Sequence, residues 1–85
     1  MKLIIGNNLS DVTVEVDTII KGVVKGDIRV LSGAKLFLYA ELEGDVYLNK
    51  HSTINIYNSV EGTIYNDGGN VEVQKRFLNR INILS

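Results

Sequence analysis

Three stretches of the chain, VVKGDIRV from Val23, ELEGDVYL from Glu41 and SVEGTIYN from Ser59, begin eighteen residues apart and are nearly the same. A fixed period of this kind decides the fold before local propensity does, because every repeat must build the same supersecondary unit. The period also divides by three. Steps of six from Val24 reach Val30, Leu36, Leu42, Leu48, Ile54, Val60 and Asn66, aliphatic at every place but the last. At DGGN (Asp67 to Asn70) the pattern slips by one residue, and Val71, Phe77 and Ile83 then resume the spacing of six. A Gly-Gly corner loses a residue at small cost, since glycine tolerates the positive φ of a tighter turn.

Within each hexad the polarity alternates with period two. Leu36 and Leu38 point one way, Phe37 and Tyr39 the other; Ile54 and Ile56 oppose Asn55 and Tyr57; Val71 and Val73 oppose Glu72 and Gln74. Ile28 with Val30, Val46 with Leu48, and Ile81 with Ile83 form a second inward set, and Val24, Leu42, Val60 and Phe77 a third. Strand alternation carried on an eighteen-residue period predicts an all-β, single-stranded parallel β-helix, a triangular β-solenoid with three short sides per coil. The preference of Val, Ile and Thr for strands agrees, and no stretch carries a helical apolar period. Residues 1–85 form one domain, with clear repeats over about 17–83 and an N-terminal coil or cap over 1–16. There Val12, Val14 and Val16 alternate, but the register before Asp17 is not set.

A chain of 85 residues is short of the size at which one core is comfortably stable. With no cysteine and one histidine, disulfides, thiolate metal sites and a histidine-built metal centre are all set aside. Regularity and self-association remain as sources of stability. Nine basic against ten acidic residues, a net charge of -1, give no electrostatic footprint for nucleic acid. No apolar run approaches the roughly 20 residues of a membrane span, and MKLIIGNNLSD lacks the pattern of a secretory signal. The expectation is a cytoplasmic protein without cofactor or membrane contact.

Candidate chemistry is sparse. Gly26, Gly44 and Gly62 recur at eighteen beside Asp27, Asp45 and Thr63. Stacked carboxylates about 4.8 Å apart could share a cation, but Gly-Asp is also ordinary corner chemistry, the side chain accepting local backbone N–H bonds. His51 falls on an outward corner with no nucleophile beside it, and no serine–histidine–acid set exists, so the chain is not expected to be an enzyme. Asn66 occupies an inward place and needs hydrogen-bond partners there. Tyr39 and Tyr57 are eighteen apart, as are Tyr47 and Tyr65, which predicts two stacked tyrosine pairs on adjacent outer faces, with Phe37 beside the first. Such pairs stabilise a ladder, and clustered exposed aromatics also favour a protein interface.

The run VKGDI, GAKLFL, LEGDV, STINI, VEGTI, GGNVEV resembles the central domain of the bactofilins, bacterial polymer-forming cytoskeletal proteins, over roughly Asp17 to Ile83. The resemblance implies a right-handed, triangular β-helix that polymerises end to end without a nucleotide. The chain departs from that family in having no proline-containing tail and about four coils with a cap. Three hexads per coil also suit the left-handed helices of hexapeptide acyltransferases. Those enzymes, however, place a small residue four after each aliphatic one, whereas here Ile28, Ala34, Ala40, Val46, Ser52, Asn58 and Ile64 are mixed.

Two functions follow as expectations. In the first, the solenoid is a bactofilin-like self-assembly or scaffold module, a homo-oligomer joined at its ends through Leu3, Ile5, Phe77, Ile81, Ile83 and Leu84. In the second, it is a small inhibitor such as a toxin immunity protein, binding its partner through Phe37, Tyr39, Tyr57, Tyr47 and Tyr65.

Overall fold

The computed structural model describes residues 1–74 and 81–84. Among these residues every regular element is a strand and every strand pairing is parallel. The first coil holds β1 (Lys2–Leu9) and β2 (Val12–Val14), and the second β3 (Thr18–Val24) and β4 (Ile28–Val30). The third holds β5 (Lys35–Leu38), β6 (Glu41–Leu42) and β7 (Val46–Leu48). The fourth holds β8 (Thr53–Ile56) and β9 (Thr63–Asn66), and the last β10 (Asn70–Val73) and β11 (Asn82–Leu84). Each strand pairs with its equivalent one coil away. This gives one wall ordered β1-β3-β5-β8-β10 and a second ordered β2-β4-β7-β9-β11. The third side is narrow: β6 pairs with the end of β3, and Leu42 bridges to Val60. The chain is a β-solenoid.

The inward columns are those the alternation predicts. Thr18, Leu36, Ile54 and Val71 share one register, and Ile4, Ile20, Leu38, Ile56 and Val73 another. On the second wall Ile28, Val46 and Ile64 stack, as do Val14, Val30 and Leu48. Away from the two ends these aliphatic side chains are at most 1% exposed, so each buried Leu or Ile contributes roughly 1.5–3 kcal/mol. No buried polar side-chain atom among the described residues lacks a partner.

Coil length varies, and the variation sits at corners. Thr18 to Leu36 and Leu36 to Ile54 are eighteen-residue steps, but Lys2 pairs with Thr18 and Val12 with Ile28, so the first coil has sixteen. There Glu15, Val16 and Asp17 span a corner that takes residues 31–35 in the next coil, and Thr18 Oγ1 donates to the Val16 carbonyl at 2.7 Å. Val16, which continues the alternation of Val12 and Val14 in the sequence, is 56% exposed. The slip at DGGN is as expected, with Val71 opposite Ile54 and Gly68 at φ 85°.

The last strand needs a correction. The spacing of six sets Ile81 beside Ile64 and Ile83 beside Asn66, whereas Ile83 pairs with Ile64. Two additional residues fall between β10 and β11. A shift of two keeps inward residues inward, so the alternation could not show it. Phe77, assigned to the third inward set, lies outside the described residues.

Two different demands call for glycine. At one corner Gly33, His51 and Gly68 form a column with φ of 83°, 64° and 85°. Ala34 N–H donates to Leu31 O and Ser52 N–H to Asn49 O, so Gly33 and His51 each stand at the third position of a turn that requires positive φ, as type II does. His51 is the non-glycine member. Left-handed backbone costs an L-residue about 1–2 kcal/mol, and glycine returns about 0.5–1 kcal/mol of that as chain entropy. His51→Gly is therefore expected to stabilise the fold by up to about 1 kcal/mol, read as a higher urea midpoint at unchanged m-value. At the other corner Gly44 and Gly62 have no positive φ. A Cβ on Gly44 would run into the carbonyl oxygen of Gly26, and one on Gly62 into that of Gly44. Close stacking of coil on coil is what excludes a side chain there.

Candidate functional site

Parallel, in-register stacking turns the outward residues of each wall into columns. On the first wall β1, β3, β5, β8 and β10 present Leu3, Ile19, Phe37, Asn55 and Glu72 in one column. The neighbouring column begins Ile5, Lys21, and the outward Tyr39 and Tyr57 follow at the same spacing. The Tyr39 and Tyr57 rings stack with centroids 4.4 Å apart and planes within 5°, and Lys21 Nζ stands 6.0 Å from the Tyr39 centroid. The column of Leu3, Ile19 and Phe37 is apolar over the first three coils and turns polar, with Asn55 and Glu72, over the last two. Leu3 is 56% and Ile5 67% exposed, Tyr39 44%, and Phe37 is half-buried between Ile19 and Asn55.

The second wall carries Thr13, Arg29, Tyr47, Tyr65 and Leu84 in one outward column. Tyr47 and Tyr65 stack at 5.1 Å and 9°, with the Arg29 guanidinium 5.3 Å from the Tyr47 centroid. Each wall thus ends its aromatic stack in a cation over a ring face, a contact worth about 0.5–1 kcal/mol at exposed sites. Burial in the stack, with the Asp27 and Asp45 carboxylates nearby, pushes the Tyr47 phenol above its ordinary pKa, against the opposing pull of Arg29.

The five aromatics named from the sequence therefore divide into Phe37, Tyr39 and Tyr57 on one wall and Tyr47 and Tyr65 on the other. Leu3 and Ile5, expected at a coil end, sit on the edge strand β1 but point outward, where they extend the wall of Phe37 and Tyr39. Sequence reasoning passed over Ile19, Lys21 and Arg29. Lys21 and Arg29 stand eighteen residues before Tyr39 and Tyr47, so the repeat that located the tyrosines also marked their cations.

The aspartates are structural, though their bonds are not local. Asp27 N–H donates to Asp11 Oδ1, Asp45 N–H to Asp27 Oδ1 and Thr63 N–H to Asp45 Oδ1, each at 2.8 Å. Every carboxylate holds the backbone of its equivalent one coil on. Asn66 closes its own corner, accepting from Gly69 N–H at 2.7 Å and donating to Gly69 O at 3.0 Å. His51 is exposed at its turn. Among the described residues no three His, Asp or Glu side chains converge to hold a metal ion.

At the C-terminal end the last inward residues, Val71, Val73 and Ile81, are only partly buried against the core, and Ile83 and Leu84 are 41% and 57% exposed. No helix of the described residues is long and apolar enough to cross a membrane. Among the described residues, architecture and surface together define a β-solenoid with two aromatic walls whose first and last strands pair on one side only. No family model, curated protein or solved structure matches the chain.

Proposed function

We propose that this solenoid is a cytoplasmic, non-enzymatic module that acts through protein contacts, and that its own copies are among its partners, in the manner of a bactofilin-like scaffold. The observation that carries this is the C-terminal end, where, among the described residues, the inward columns of the two walls are still apolar at their last members and β10 and β11 each have a strand on one side only. Unpaired edges above an uncovered slice of core favour pairing with another chain. Sedimentation over a concentration series is expected to show self-association. Ile83→Lys should reduce it to a monomer that melts within a few degrees of wild type, because the altered residue is already 41% exposed. A wild-type chain that stays monomeric at high concentration sinks this reading.

A second reading has its own observation. Leu3, Ile5 and Tyr39 are exposed together on one wall, beside the half-buried Phe37. An immunity-type inhibitor would use such a wall and leave the ends free, so a monodisperse monomer promotes it.

A further inference from the structure

We infer that the two ends are not equivalent: a second copy docks only on the C-terminal end, so assembly stops at a two-fold dimer instead of growing into a filament. This rests on the self-association proposed above and adds which end carries it.

The N-terminal end is closed by three features. Lys2 stands in register with the buried Thr18, and through it with Leu36. Residues in one register of a parallel sheet face the same side, so Lys2 heads an inward column, and its exposed ammonium keeps its water as long as that face stays uncovered. A second copy docked there would strip water from that charge and, across a two-fold axis, bring two such charges together. Inward-pointing charges are a means by which edges resist pairing. Second, the register of β1 against β3 shifts between Gly6 and Leu9, a bulge that breaks a flat edge. Third, the Leu9 side chain folds over Gly6, its Cδ2 only 2.8 Å from where a Cβ would stand. Val14, although in the first coil, is 1% exposed.

The C-terminal end has none of these among its described residues. β10 runs against β8 in unbroken register over four residues, and β11 against β9 over three. The inward places are Val71, Val73 and Ile83, with no charge. Two copies related by a two-fold axis would bury valine and isoleucine against their like and give β10 an antiparallel partner for its free backbone groups. A closed, isologous contact of this kind adds no third copy.

Sedimentation velocity on wild type, Lys2→Leu, Ile83→Lys and the double variant tests this, with circular-dichroism melts to confirm that each is folded. The expected results are a wild-type dimer, species larger than a dimer that grow with concentration for Lys2→Leu, and a monomer for Ile83→Lys. The double variant should return to a dimer, now joined at the N-terminal end. Wild-type filaments, or a Lys2→Leu chain that remains a dimer, would overturn the closed end while leaving self-association standing. An Ile83→Lys chain that remains a dimer overturns the choice of end. A monomeric wild type defeats the underlying reading, and Lys2→Leu then decides the closure of the N-terminal end by itself: a dimer supports it and a monomer overturns it.

Discussion

Ile54→Asp is expected to leave no cooperatively folded protein. Ile54 is fully buried between Leu36 and Val71 in the middle of an inward column, and neither neighbour offers a cation to meet a carboxylate; Lys2 stands three coils away at the head of that column. An unpaired buried charge costs about 3–5 kcal/mol, and the lost burial of the isoleucine adds roughly 1.5–3 kcal/mol. Together these are comparable with the whole stability of a domain this small, of order 0.05–0.15 kcal/mol per residue. Asn55→Asp, one residue away, turns its charge outward beside Glu72 and should cost only the few tenths of a kcal/mol of a like-charged neighbour. Thermal melts of the two variants make the comparison. Similar midpoints would show that the column does not face a common core.

Gly44→Ala is the second large effect, and it acts through the backbone alone. The added methyl would overlap the Gly26 carbonyl and press on Asp27 Oδ1, the oxygen that holds Asp45 N–H. Neither can move without separating two coils, so the loss should reach or exceed the 1–3 kcal/mol usual for overpacking. Gly33→Ala is the control. Nothing lies within 4 Å of a Cβ there, but φ is 83°, so only the left-handed backbone is strained, at about 1–2 kcal/mol. Urea denaturation that ranks Gly33→Ala as the more damaging would remove close stacking as the reason for the glycine column.

The fold was legible because its two signals are redundant. Inward and outward sides follow from alternation within each strand, and the stack follows from recurrence at eighteen. Either alone is ambiguous, but Leu36, Leu38, Ile54 and Ile56 satisfy both. The tyrosine pairs were legible for the same reason, since residues at one register on neighbouring coils must meet. Less could be read of the Asp column. Asp27 and Asp45 are recognisable as equivalents, but Asp11 stands sixteen residues before Asp27, a spacing that conceals its membership. Nor does a Gly-Asp corner reveal that its carboxylate reaches across to the next coil instead of to its own turn.

What the sequence by itself determined is the alternation of faces and the period of the coil, because both depend on residues that are neighbours along the strand or repeat at a constant interval. What only the tertiary structure decided is the register at the two ends: sixteen residues in the first coil, and Ile83 instead of Ile81 beside Ile64. Each of these changes removes or adds two residues at a connection, and an even shift leaves the inward and outward pattern of every strand unaltered. Pairing across coils, which no local pattern records, therefore placed Lys2 at the head of a buried column and carried Leu3 and Ile5 onto the wall of Phe37 and Tyr39.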